Sequence, residues 1–184
     1  MTFDLKNIEK TDIITKEVVL EKLKLLFPDK DVSKIDQFPE ITQIEIPGYT
    51  YLEDECFIKR DFNNNVIQMF PNIKLVVNLN KVLNVGNYCF YNCKLLSNTN
   101  DIFFCIHIGD YGFYNTNVKF KDLIGFNEIG KHAFENCTGL SDIKIDTLSE
   151  YCFANSSIKK VTLPNDIKIP DHCFDNCHIE YNYV

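Results

Sequence analysis

Apolar positions in this chain follow two different periods. Between Thr15 and Phe27 they recur at helical spacing. Val19, Leu23 and Leu26 share a face with Leu20 and Phe27, Glu17 lies in the first turn, and Pro28 follows, which predicts a helix over 15–27. A shorter helical piece is predicted from Asp31 to Gln37, ended before Pro39. Beyond residue 40 the period shortens to two. The triplets Ile44-Glu45-Ile46, Val118-Lys119-Phe120, Ile143-Lys144-Ile145 and Val161-Thr162-Leu163 read as short strands with one face buried, and Ile179-Glu180-Tyr181 begins one more. Residues 58–74, which include Asn63, Asn64 and Asn65, are expected to form a loop.

Between the triplets a phrase returns. It runs Val85 to Cys93, Ile108 to Thr116, Ile129 to Cys137, Leu148 to Ser156 and Ile169 to Cys177, with a degenerate copy from Leu52 to Phe57. Its anchors Phe57, Phe90, Phe113, Phe134, Phe153 and Phe174 are spaced 33, 23, 21, 19 and 21 residues apart. Each column has a physical reason. The aliphatic residue five before Phe, and Phe itself, are bulky groups that every unit must bury. Only Cys, Gly or Ala stands immediately before Phe, so that position admits a small side chain. Asn two after Phe suits a turn, because it tolerates a left-handed backbone. An aliphatic residue closes each unit, at Leu95, Val118, Leu140, Ile158 and Ile179. Self-similarity near 20 residues, with one short strand per unit, predicts a solenoid in which no unit buries its apolar face alone.

The pattern resembles the BspA-like leucine-rich repeats over about residues 41–179. Ile46-Pro47 and Leu163-Pro164 match the family's Ile-Pro element, Ile108-Gly109 and Ile129-Gly130 its Ile-Gly element, and Ala133-Phe134 its Ala-Phe element. The chain departs from the family in using Cys before Phe at Cys56, Cys89, Cys152 and Cys173, and in its longer first interval. The resemblance implies an α/β leucine-rich-repeat solenoid, right-handed, with short parallel strands on one face. It implies no enzymatic activity and a role in adhesion or protein interaction. On this reading residues 1–40 form an N-terminal helical cap, and residues 41–184 hold about six repeats, the first irregular.

Composition narrows the function. The chain has 45% hydrophobic and 24% charged residues, which excludes wholesale disorder. Nineteen basic against 26 acidic side chains give a net charge of −7, and neither residues 1–60 nor the remainder carries a basic surplus, so nucleic acid is not expected as a partner. No apolar run is long enough to span a bilayer, and the charged first residues do not resemble a signal peptide. The expected location is the cytoplasm, the alternative being the cell surface by a route invisible in the sequence.

Seven of the eight cysteines fall in repeat columns that Gly, Ala, Ser or Thr fill in other copies, so these sites select size over sulfur chemistry and are expected to be reduced, buried thiols. The cluster His172, Cys173, Cys177 and His178 has zinc-ligand types, but C-x-x-C spacing is missing and the sibling copy at Cys89 and Cys93 has no His. No metal or other cofactor is expected. Asn136 and Asn155 match the glycosylation acceptor pattern only because they belong to the repeat's Asn column. His107 reads as a strand residue. No phosphate loop, zinc-protease or nucleophile-elbow motif occurs, so no catalytic residues are assigned.

The expected function is therefore a non-enzymatic interaction module. Outward positions of the triplets and their neighbours give Glu45, Lys119, Lys121, Lys144, Lys160 and Thr162 as the candidate partner-binding face, with a basic stripe in the later repeats. The column Tyr88, Tyr111, His132, Tyr151 and His172 is the alternative surface. Adhesion to host cells or matrix is the alternative function. The C-terminal sheet edge offers a route to a homo-oligomer.

Overall fold

A computed structural model describes residues 1–6, 12–102 and 105–184, without the side chains of 99–102. It has a repeat α/β fold of stacked rungs with few helices. Strands Thr2–Asp4, Gln43–Glu45 and Leu75–Val77 pair in parallel, as do Thr99–Ile102, Lys119–Leu123, Asp142–Ile145, Lys160–Leu163 and Glu180–Tyr183. The buried side chain of Asn98 joins the two sets. Its Oδ1 accepts from the Val76 amide at 2.9 Å and its Nδ2 donates to the Val76 carbonyl at 2.8 Å, while its own carbonyl accepts from Lys119 at 2.8 Å. One side-chain amide thus continues the hydrogen-bond ladder where backbone pairing stops.

A third set of strands was not expected from the pattern. Ile13–Ile14, Tyr51–Leu52, Asn84–Val85, His107–Ile108 and Glu128–Ile129 form a parallel sheet of two-residue strands. Among the described residues five rungs therefore carry two short strands each, not one. A two-residue strand has no period to detect, and its buried aliphatic residue merges with the turn phrase that follows.

That phrase folds the same way in each copy. Tyr88, Tyr111, His132, Tyr151 and His172 hold φ of 56–59°, and Asn92, Asn115, Asn136, Asn155 and Asn176 hold φ of 54–59°. These left-handed residues divide the backbone amides between two uses. Alternate ones close local turns, as Gly112 to Gly109 at 3.1 Å and Tyr114 to Tyr111 at 3.2 Å. The others donate to the next rung: Tyr88 to Asp110 at 2.9 Å, Phe90 to Gly112 at 2.9 Å, and Asn92 to Tyr114 at 2.9 Å. Tyr111, Phe113 and Asn115 repeat this toward Lys131, Ala133 and Glu135. Gly109 and Gly130 permit the close approach this requires. A Cβ on Gly130 would lie 2.4 Å from the backbone of Asp110 and Gly109.

Inside the turns the anchors stack. Phe90, Phe113, Phe134, Phe153 and Phe174 form a continuous column with centroids 5.1–5.6 Å apart and rings within 15° of parallel. The column continues through Phe57, 5.5 Å from Phe90, to Phe70, Phe38 and Phe27. Phe27 lies just beyond the helix Lys16–Leu26, whose Thr15 cap accepts the Val18 amide and which buries Val19 and Leu23. Leu26 does not share this face and is partly exposed.

Three further expectations are corrected. Residues 31–37 are not helical. Asp31 accepts from the amide and hydroxyl of Ser33, and Lys59 Nζ takes the carbonyls of Val32, Ser33 and Ile35, which a helix would need for itself. Residues 58–74 are not a simple loop, because Ile58–Arg60 and Val66–Gln68 pair as an antiparallel hairpin. Gln68 is buried there, and its Nε2 donates to the carbonyls of Cys89 and Tyr91 at 3.3 and 3.0 Å, which supports the next rung beside the hairpin. In the second copy Leu96, not Leu95, closes the unit. Leu96 is buried and Leu95 exposed.

The stacked column sets the cost of its removal. Phe134→Ala should lower stability by about 3–5 kcal/mol in urea unfolding, because both ring neighbours lose their contact. Gly130→Ala should be clearly destabilising as well, whereas Lys168→Ala at an exposed site should stay within about 0.5 kcal/mol. Equal, small effects at all three positions would contradict the stacking account.

Candidate functional site

The sheet gathers most of the expected binding residues. Registers run Asp122, Lys144, Thr162, Asn182 in one row and Asp142, Lys160, Glu180 in another. Lys119 and Lys121 project from Lys119–Leu123, where Phe120 and Leu123 are both buried, so the strand accommodates an additional residue between its two core positions. Lys160 pairs with Glu180 at 3.4 Å, whereas Lys119 and Lys144 are exposed and form no ion pair among the described residues. Two clefts run between these rungs. Lys119, Phe120, Lys121, Gly139, Ser141 and Asp142 line one, and Lys121, Asp122, Asp142, Lys144, Lys160 and Thr162 help to line the other. The lysines alternate with Asp122, Asp142 and Glu180, so the face carries both signs of charge. Glu45 lies apart, in the set with Thr2–Asp4, where it pairs with Lys6 and accepts from Gln43 Nε2 at 3.2 Å.

The alternative surface is a second ladder of rings. Tyr88, Tyr111, His132, Tyr151 and His172 stack face to face, with centroids 4.6–4.9 Å apart and planes within 12° of parallel. Their left-handed backbone turns each ring onto the equivalent ring of the next rung, so ring faces are largely covered and ring edges face outward. His132 Nδ1 meets Glu135 at 2.5 Å and His172 Nδ1 meets Asp175 at 2.7 Å. Sequence reasoning missed the neighbouring column, Tyr91 stacked on Tyr114 at 5.0 Å, and Arg60, whose guanidinium lies 5.3 Å over Tyr88. The repeated Phe-Tyr-Asn at Phe90 and Phe113 signals the tyrosine pair, but nothing local signals Arg60. Burial, then the neighbouring Tyr88 and Glu135, hold the Tyr111 hydroxyl above its usual pKa.

The thiols lie inside. All eight cysteines are unpaired, and only Cys177 is not fully buried. Cys56 and Cys89 approach to 3.6 Å and Cys152 and Cys173 to 3.4 Å, each a contact between adjacent rungs in the column before Phe. Burial pushes the Cys137 thiol up to about 11 and the Cys105 thiol up to about 12. His172 and Cys173 belong to these ladders, and no cluster of three ligands suited to a metal occurs among the described residues. His107 lies in a strand and meets Glu128 at 3.3 Å. No helix among the described residues is long and apolar enough to cross a membrane.

These recurring rungs match the sequence profile of the BspA type leucine rich repeat region in 6 copies over residues 60–180. The chain belongs to that family. Its repeats generally mediate protein–protein interaction, and the family is typically non-enzymatic. No curated protein and no solved structure matches the chain.

Two outcomes follow for the thiols. At neutral pH a thiol reagent should modify Cys177 readily and the other seven only on unfolding; rapid reaction of several thiols in the native chain would contradict their burial. The Cys105 and Cys137 thiols ionise in the unfolded chain at about 8.5, below their folded values, so the stability their burial confers is complete below that pH and is lost as pH climbs toward the folded values. The urea midpoint should therefore fall between about pH 8.5 and the folded Cys137 value of about 11. A midpoint constant over that range would show that these groups do not stay buried and neutral.

Proposed function

We propose that this chain is a non-enzymatic protein-interaction module. Its rungs form a right-handed solenoid, residues 1–40 cover the first repeat, and the sheet face over Lys119, Lys121, Lys144, Lys160 and Thr162 takes the partner. The observation that carries this reading is the pair of exposed lysines, Lys119 and Lys144, that have no ion-pair partner among the described residues. Around them Lys160 is matched by Glu180, while Asp122 and Asp142 stand in the same rows. A partner surface with carboxylates facing Lys119 and Lys144, and a donor facing Asp122 or Asp142, is complementary to it. Parallel strands present these groups at the rung repeat of about 4.8 Å, which suits an extended binding surface. Seven buried thiols used as core filler, with no disulfide among the eight cysteines, suit a reducing compartment such as the cytoplasm.

The test is a Lys119→Glu, Lys144→Glu, Lys160→Glu variant with unchanged circular dichroism. A partner captured by the wild type, then purified and titrated, should bind this variant at least tenfold more weakly, chiefly through a slower association rate. Equal affinity for both would remove the sheet face from the binding site.

A second reading, self-association, rests on the strand Glu180–Tyr183. The Glu180 and Val184 amides bond to Lys159 and Leu163 on the neighbouring rung, so by alternation the Tyr181 and Tyr183 backbone groups point away from it. Tyr181 and Tyr183 are 42% and 51% exposed. Two copies related by a two-fold axis would pair these edges antiparallel. Light scattering of this chain should then show a dimer whose population grows with concentration. A monomer at high concentration would dispose of it.

A further inference from the structure

We infer that the hairpin Ile58–Gln68 is a second docking element, whose anchor is the Phe62 ring and whose partner is a protein with a benzyl-sized apolar pocket rimmed by neutral hydrogen-bonding groups. Phe62 is 97% exposed, the highest exposure of any large apolar side chain among the described residues. Folding makes no use of it. The turn needs a left-handed residue only at Asn64, with φ of 66°, so its backbone does not require an aromatic at 62.

The frame around the ring is rigid. Asp61 Oδ1 accepts the amides of Asn63 and Asn65, both at 2.8 Å, and Asp61 Oδ2 accepts Asn65 Nδ2 at 2.8 Å. Arg60 Nη1 donates to the Asn64 carbonyl at 3.0 Å while its guanidinium pairs with Glu55 and covers Tyr88. On the other side Lys59 is fastened to the carbonyls of Val32, Ser33 and Ile35. A two-stranded hairpin alone is marginal in water, but this one is tied to the body at Lys59, Arg60 and Gln68. The backbone that carries the ring is therefore held in place, and little backbone ordering entropy remains to be lost on binding.

The charge around the tip selects the class of partner. Both cations of the hairpin are engaged, Lys59 by carbonyls and Arg60 by Glu55, and the Asp61 carboxylate is held by the turn. Beside Phe62 in the turn stand the Asn63 and Asn64 amides, with no side-chain hydrogen bond among the described residues, and the Asp61 carboxylate, whose two oxygens are taken by Asn63 and Asn65. An anionic membrane would need free basic residues beside the ring. A rim of amides and one hydrogen-bonded carboxylate, without a free cation, around an apolar centre matches the anatomy of a protein hot spot.

The test uses the whole chain with p-benzoylphenylalanine in place of Phe62, irradiated in lysate of the source cell, with the same photo-reactive group at exposed Lys168 as control. The protein cross-linked only from position 62 is purified and titrated against wild type, Phe62→Ala and the triple Lys→Glu variant. Phe62→Ala should bind ten- to a hundredfold more weakly while its urea midpoint stays unchanged. Loss with Phe62→Ala alone supports the hairpin independently of the sheet face; loss with the lysine variant alone overturns the hairpin and leaves the sheet face standing. Equal adducts from both positions, or Phe62-dependent sedimentation with phosphatidylserine vesicles in place of a protein adduct, would also overturn it.

Discussion

Two residues per repeat must hold a positive φ, and the rest of the structure depends on that requirement. With Tyr or His two before Phe, and Asn two after it, in the left-handed region, every second amide of the turn points along the stack instead of back into its own rung. A left-handed conformation costs a non-glycine residue on the order of 1–2 kcal/mol. Here that cost is offset by a hydrogen bond to the next rung and by stacking of the ring or the amide side chain on its counterpart. Asn115 donates to Asn92 at 2.7 Å and Asn176 to Asn155 at 2.7 Å, so the Asn column bonds to itself as well. A turn, ordinarily the least connected part of a repeat, becomes as fully bonded as the sheet.

The same constraint explains the composition of the columns. Rungs bonded through backbone at this spacing leave room for one large ring inside, the Phe column, and only small groups beside it. Cys56, Cys89, Gly112, Ala133, Cys152 and Cys173 fill that narrow place and are almost wholly buried. Gly86, Gly109 and Gly130 occur where a Cβ would meet the backbone of the preceding rung. The first interval breaks the repeat by 12 residues relative to the 21-residue spacing from Phe113 to Phe134, the difference 33 − 21. Two buried amides, Gln68 and Asn98, supply hydrogen bonds there that regular rungs draw from backbone. That irregular interval also contains the hairpin with Phe62, the most exposed apolar group on the molecule's described surface.

How much of this was legible in the sequence depended on whether a feature repeats. The Phe, small-residue and Asn columns announce themselves because every rung imposes the same steric demand. The triplets around Ile143 and Val161 are strands for the same reason. Two-residue strands such as Asn84–Val85 carry no period and were invisible. The stretch from Asp31 to Gln37 has helix-compatible residues, yet Lys59, remote in sequence, claims its carbonyls. Of the candidate surfaces, the sheet lysines and the Tyr/His column were legible as alignments, since outward positions follow from inward ones. Their electrostatic setting was not, because it depends on which carboxylates the register sets beside each lysine, as with Glu180 beside Lys160. Arg60 and Phe62 belong to an insertion, and an insertion has no sibling copy against which it can be compared.

Amide hydrogen exchange, residue by residue, tests the central claim most directly. If the left-handed turns carry the stack, the amides of Phe90, Asn92, Phe113, Asn115, Phe134, Asn136, Phe153 and Asn155, which donate to the following rung, should be protected as strongly as those of the strands Asp142–Ile145 and Lys160–Leu163. Exchange of these turn amides at the rate of open loops, with protection confined to the strands, would contradict it.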